Sequence, residues 1–229
     1  MPNKPTPVLL VTPENAPFIP GSAADPTCHS ATVAGIATNN LFHDLADTND
    51  PLLQRTLTAI RKNSSAYSGG LVALTIGYMS RYQGQLAAAS ARPIISSPLL
   101  AVPMLLATLP HDTYVLVIYA DSRIAIAEDM PGIPQDRSHS VLIAGLEGPG
   151  PFRGAVIERT SPFDALAVTK QIESLITAQR QTHNIGAVVL ECGEMAATAK
   201  ELRARLDIPV VDYHLVTGFF AEAMHSGTP

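Results

Sequence analysis

The sequence predicts an α/β fold of two similar lobes, each a parallel sheet with helices, related by a pseudo-twofold axis. Three observations carry this. Apolar runs of strand length alternate with helix-length amphipathic segments almost throughout, the pattern of βα units with right-handed crossovers. One such unit occurs twice, because Leu71-Val72-Ala73-Leu74-Thr75-Ile76-Gly77-Tyr78 and Ala187-Val188-Val189-Leu190-Glu191-Cys192-Gly193-Glu194 share one form. A single offset (192 − 76 = 116) also carries Leu74 onto Leu190, Gly77 onto Gly193, Leu86 onto Leu202, Pro93 onto Pro209 and Ile94-Ile95 onto Val210-Val211. The copies lie in opposite halves of the chain, so two sheets are expected. Residues 1–110 should form the first lobe and 111–213 the second, with a final helix over 214–229 packing back on the first.

Taken in order, Val8–Val11 reads as a buried strand, and Thr12 to Asp25 as a long loop of the kind that carries function. Thr32–Ala37 is a second strand. Asp50-Pro51 starts a helix, with Asp as cap and Pro in the first turn, and Leu53, Leu57 and Ile60 give it one apolar face. Asn63-Ser64-Ser65 is its end, and Gly69-Gly70 stops it. Leu71–Ile76 is apolar throughout, as buried parallel strands are. A helix around Met79–Ala91, a strand over Pro93–Ser96 and a helix near Leu99–Leu109 follow. The second half opens with the strand Tyr114–Tyr119, a short helix near Arg123–Glu128 and the strand Ser140–Ala144. Ser161-Pro162 should cap a long helix with Leu166, Ile172, Leu175 and Ile176 inward. Ala187–Glu191, a helix from about Ala196 to Leu206, and Ile208–Asp212 complete the second copy. A helix over about Leu215–Met224 comes last.

Composition narrows the classes. The chain has 229 residues, 46% hydrophobic and 15% charged, which suits a packed globule rather than a disordered one. The net charge is −5 with no cluster of Lys and Arg, which argues against a nucleic-acid partner. No apolar run approaches the roughly 20 residues needed to span a bilayer, so no membrane role is expected. Behind Met1-Pro2-Asn3-Lys4-Pro5, the run Val8–Val11 is too short for a signal peptide's apolar region. Cys28 and Cys192 are then expected as free thiols in a cytoplasmic protein. Neither Cys28-His29 nor any other stretch supplies metal ligands at zinc-site spacing, so no metal is expected. Gly145-Leu146-Glu147-Gly148-Pro149-Gly150 departs from a dinucleotide fingerprint, and Pro149 spoils its helix start. Homo-oligomerisation stays open.

Ligands in such folds bind beyond the carboxyl ends of strands, where Thr75, Ile76, Gly77, Glu191, Cys192 and Gly193 fall. A cysteine between a strand and a helix meets unpaired N–H groups and a partial positive charge, which should stabilise its thiolate. Gly193 allows close approach of a substrate, and its N–H with that of Glu194 can hold a carboxylate or an enediolate-like oxygen. Cys192 can therefore act as acid or base at a carbon next to a carboxyl group. A buried cysteine serving only as a small hydrophobe is the alternative.

Several stretches resemble the cofactor-independent aspartate/glutamate/hydantoin racemase superfamily. They are Ile19-Pro20-Gly21, Thr75-Ile76-Gly77-Tyr78 through Tyr82-Gln83, and Ser96-Ser97 with Leu99-Leu100 and Val102-Pro103. Ala144-Gly145-Leu146-Glu147 and Leu190-Glu191-Cys192 through Pro209-Val210-Val211-Asp212 complete the set, which spans nearly the whole chain. The resemblance implies two Rossmann-like or flavodoxin-like lobes with the active site in the cleft between them, and no cofactor. In racemases of this kind two cysteines flank the substrate α-carbon. Cys192 falls on the second position, and the first falls on Ile76, which has no exchangeable proton. Gly193-Glu194 also departs from the Thr-Asn that commonly follows the second cysteine. The single-cysteine arylmalonate decarboxylases of the superfamily share the missing first cysteine and the Cys-Gly pair. The resemblance therefore implies one-sided proton transfer on a small carboxylate substrate.

The other candidates carry two readings each. Thr75 reaches the cleft or bonds within its strand. Tyr78 donates to substrate or packs at the helix start. Ser96 and Ser97 bind a carboxylate or cap the next helix. Ser22 and Asp25 contact the ligand or shape the first loop. His214 orients a ligand or is structural. Three functional readings follow: a one-base decarboxylase, lyase or isomerase; a racemase or epimerase whose second base is Cys28, Thr75 or His214; and a non-catalytic carboxylate-binding homologue.

Overall fold

The computed structural model describes residues 7–29, 31–36, 51–64 and 70–224. The N-terminal stretch Met1–Pro5, Ala37, Asp50 (expected as a cap), Ser65, Gly69 and residues 225–229 of the helix expected over 214–229 lie outside the described residues.

Two four-stranded parallel sheets form the frame. The first has the order β2-β1-β3-β4, from β1 (Val8–Pro13), β2 (Ala31–Ile36), β3 (Leu71–Leu74) and β4 (Ile94–Ile95). The second has the order β6-β5-β7-β8, from β5 (Tyr114–Tyr119), β6 (Val141–Gly145), β7 (Ile185–Leu190) and β8 (Val210–Val211). The strand order is the same in both. The register repeats with the sequence offset: Val72 and Ala73 pair with Ile94 and Ile95, and Val188 and Val189 pair with Val210 and Val211. The prolines before β4 and β8 supply the flanking carbonyls, Val72 N donating to Pro93 O at 3.0 Å and Val188 N to Pro209 O at 2.9 Å. Proline is tolerated at the start of an edge strand, where its missing N–H leaves no ladder bond unmade.

The helices fill the crossovers. Helix α1 (Pro51–Ser64) buries Leu52, Leu53, Leu57 and Ile60. The segment after β3 begins as a 3-10 turn (Gly77–Tyr82) and becomes α-helical only in α2 (Gln83–Ala89). Helix α3 (Val102–Thr108) follows, and the expected helix near Arg123–Glu128 is two separate 3-10 turns. Helix α4 (Ala165–Arg180) corrects the capping expectation: Asp164, not Ser161-Pro162, is the N-cap, accepting from Ala167 N at 3.0 Å. A carboxylate caps better here because it sits three residues before the N–H left free by the first turn. Leu166, expected inward, is 51% exposed, and Val168, Ile172 and Ile176 form the buried face. Helix α5 (Ala196–Arg205) and α6 (Tyr213–Ala223) complete the chain, α6 capped by Asp212. Val216 of α6 packs with Leu71, Ile95 and Ala101.

The second sheet is covered on both faces with strand period. Val115, Val117, Tyr119, Ala187 and Val189 join the core of the first sheet, while Leu116, Ile118, Val188 and Leu190 pack with Val168, Ile172 and Leu202 of α4 and α5. Each Val, Leu or Ile among them contributes roughly 1.5–3 kcal/mol on burial. Among the described residues no helix is long and apolar enough to cross a membrane.

Candidate active site

The carboxyl ends of β3 and β7 meet at the seam between the sheets, and their loops repeat each other bond for bond. Thr75 N donates to Val11 O at 3.1 Å and Glu191 N to Ile118 O at 2.9 Å. Met79 N donates to Ile76 O, and Met195 N to Cys192 O, both at 3.1 Å. The glycines that follow explain how the loops come so close. A Cβ at Gly193 would stand 2.6 Å from the Thr75 carbonyl oxygen, and one at Gly77 would overlap both the carbonyl and the carboxyl of Glu191. Each glycine is thus packed on the strand end of the opposite copy, where only a hydrogen atom fits.

Around this contact lies a crevice of about 30 Å³, enough for a water-sized group, so a larger ligand requires the walls to part. Thr75, Ile76, Gly77 and Tyr78 line one wall, and Glu191, Cys192, Gly193 and Glu194 the other. The first loop adds Pro13, Ala16 and Pro17, and the second half adds Ala120, Val156 and Arg159. A larger groove of about 580 Å³ beside β4 and α6 is apolar, and no thiol or charged group lines it.

Cys192 is 8% exposed, and its Sγ donates to Glu194 Oε2 at 2.8 Å. Burial pushes this thiol well above its ordinary range, and the Glu194 carboxylate beside it pushes the same way. The expected stabilisation of thiolate is therefore reversed. The turn behind Cys192 is a three-residue 3-10 turn, Gly193–Met195, whose small dipole is outweighed by nearby negative charge. The resting group is the thiol, which suits a proton donor.

Glu191 is 1% exposed. Its Oε2 accepts from Ala120 N at 3.4 Å, and its Oε1 is buried with no hydrogen-bond partner among the described residues. Burial raises its carboxyl well above the usual carboxylate range. Tyr78 latches the seam, its hydroxyl donating to Asp121 O at 2.9 Å and accepting from Asp121 N at 3.0 Å. Thr75 Oγ1 donates to Thr12 Oγ1 at 2.9 Å.

The remaining expected residues lie away from the crevice lining. Ser96 Oγ donates to Gln83 Oε1 at 2.6 Å, and Ser97 Oγ caps the next turn by accepting from Leu99 N at 3.2 Å. Ser22 Oγ is buried without a partner among the described residues. Asp25 organises the first loop, accepting from Gly21 N at 2.8 Å, Thr27 N at 2.9 Å and Thr27 Oγ1 at 2.6 Å. Those bonds, led by that from Gly21, lower its carboxyl to about 2. Cys28 is exposed on the same loop. His214 Nε2 lies 2.9 Å from Gly21 O, and His214 Nδ1 lies 3.0 Å from His29 Nε2. Because a carbonyl only accepts, His214 carries its proton on Nε2 and accepts at Nδ1 from His29.

Two charged residues of the crevice, Glu191 and Arg159, have no role assigned from the sequence. Glu191 had a signal, since a carboxylate at the end of an apolar buried strand is costly without a purpose. Arg159 had none. It follows a π-type turn (Arg153–Ile157), has a left-handed backbone at φ 57°, and forms no ion pair among the described residues. Strained backbone and π-turns of this kind cluster at functional sites.

No protein-family model matches the chain, and no curated protein matches it in sequence. Solved structures do match. Unliganded arylmalonate decarboxylase aligns with a TM-score of 0.62 over 99% of this chain and 94% of its own, at 16% identity. Allantoin racemase from Klebsiella pneumoniae aligns with a TM-score of 0.62 over 95% and 86%, at 15% identity. Aspartate racemase from Picrophilus torridus aligns with a TM-score of 0.54 over 95% and 91%, at 10% identity. The chain therefore has the two-lobed α/β fold of these racemases and decarboxylases, as its sequence resemblance led us to expect.

Proposed function

We propose that this chain is a cofactor-independent enzyme that delivers a proton to the carbon next to a carboxylate, with Cys192 as the acid and reaction on one face only. One observation carries the proposal: the seam holds a single thiol, Cys192, while the matching position of the repeat is the hydrocarbon Ile76. Taking a proton from one face and returning it to the other needs a second acid/base group, which Ile76 does not supply. A single thiol suffices where carbanion formation needs no base, as in loss of carbon dioxide.

For a malonate-type substrate the steps balance. The bond to one carboxyl carbon breaks, carbon dioxide leaves, and the electron pair passes into the remaining carboxylate as an enediolate. The Cys192 S–H bond breaks as a C–H bond forms, and the thiolate recovers a proton from water. The protonated resting state of Cys192 supports the order of these steps. The Gly193 and Glu194 N–H groups and the Arg159 guanidinium supply donors for a carboxylate, and Ile76 accommodates an apolar substituent on the reacting carbon.

The test is a panel of phenylmalonate, allantoin and aspartate in heavy water. The expected result is decarboxylation of phenylmalonate with one deuteron placed on one face, and a loss of about 10²–10⁴-fold in Cys192→Ser. Full activity in Cys192→Ser, or exchange with inversion, overturns the proposal.

A further inference from the structure

Glu191 is the buried titratable group at the seam that proton delivery by Cys192 leaves unused. It ends a strand that is otherwise apolar, Ile185–Leu190. Its carboxyl crosses the seam and fills the space beside Gly77 that any side chain there would need. One oxygen takes a single long bond from Ala120 N at 3.4 Å, and the other, Oε1, is buried without a partner among the described residues. The carboxyl therefore lies against Gly77, the neighbour of Ile76.

We infer that Glu191 is a hydrogen-bond donor to the substrate: its carboxyl, lodged on Gly77, donates to the oxygen on which negative charge collects as the carbanion forms. This rests on the proton transfer proposed above. Burial favours its neutral form, and Arg81, the cation that opposes this, is engaged with Asp129 at 2.7 Å. A neutral carboxylic acid has an O–H to give, and one held neutral by an apolar site is an effective donor to an enolate-like oxygen. The same burial argues against Glu191 as a general base, because a base must first be ionised. The unpartnered oxygen fits a site that is completed only when a ligand arrives.

Infrared difference spectra at pH 7 of the wild type against Glu191→Gln test this directly. A neutral-carboxyl stretch should be present only in the wild type. Benzohydroxamate, a planar mimic of an aryl enediolate, should shift it. In parallel, Glu191→Met should lower kcat on phenylmalonate by about 10²–10³-fold with KM little changed, the loss expected for one donor to a developing oxyanion. Glu191→Gln, which keeps size and an N–H donor, should fall between. An ionised carboxylate in the wild type, or a band that benzohydroxamate does not move, overturns the assignment even where turnover depends on Cys192. Turnover that is independent of Cys192, with the band shift retained, instead overturns the role given to the thiol and leaves the donor role of Glu191 standing.

Discussion

Cys192 Sγ donates to Glu194 Oε2 across 2.8 Å, so the thiol of the seam is paired with a carboxylate two positions along its own loop. The pairing keeps the sulfur protonated and aims its hydrogen. A negative neighbour disfavours thiolate, so removing the charge should favour it. Glu194→Gln should therefore lower the thiol pKa. At neutral pH its alkylation by iodoacetamide should quicken roughly tenfold, the change expected for one pKa unit. An unchanged rate would show that the carboxylate does not control the sulfur.

The reciprocal glycines make a stability prediction. A methyl at Gly193 meets the Thr75 carbonyl at 2.6 Å, and one at Gly77 meets both the backbone and the side chain of Glu191. Gly193→Ala and Gly77→Ala should each destabilise the fold by about 1–3 kcal/mol in urea denaturation, as overpacking does. The Gly77 variant should also displace Glu191. Adding Glu191→Ala should recover part of its loss and none of the loss in Gly193→Ala.

Arg159 should set carboxylate affinity rather than the chemical step. Loss of a charge-assisted hydrogen bond is worth about 1.5–3 kcal/mol. Arg159→Ala should thus raise KM for phenylmalonate by about 10–100-fold, with kcat little changed, and Arg159→Lys should recover part of it. A fall in kcat at constant KM would remove Arg159 from the binding role.

His29 makes the fold acid-sensitive. Burial and the neighbouring His214 lower its pKa from 6.5 to about 4. Between those values the unfolded chain binds more protons than the folded one, so stability falls as the pH falls through this window. The loss should be about 2 kcal/mol, discounted from the full linkage value for partial exposure. Asp25 acts lower, its contribution lost as pH falls from 3.8 towards about 2. His29→Gln keeps an N–H donor to His214 without titrating, so the stability difference between wild type and variant should change by about 2 kcal/mol from pH 6.5 to 4 by chemical denaturation.

Much of the frame could be seen in the residues because its signals are local. Strand-length apolar runs and the prolines before β4 and β8 each depend on neighbours a few positions away, and the offset joining Ile76 to Cys192 is the recurrence of one such local pattern. The offset even anticipates the pairing of Val72 with Ile94 and Val188 with Val210. Helix starts were less visible. Ser161-Pro162 and Asp164 both have capping chemistry, and the choice between them depends on where the helix meets the sheet.

By itself, then, the sequence determined the βα alternation, its duplication, and the placing of one thiol and two glycines at strand ends. Tertiary structure alone decided the chemical character of that thiol, the companionship of Glu191 and Gly77, and the entry of Arg159 into the crevice. The physical reason is range. Periodicity and strand register are read over a few residues, whereas a proton affinity is set by burial and by every charge within a few ångströms, whichever lobe supplies it.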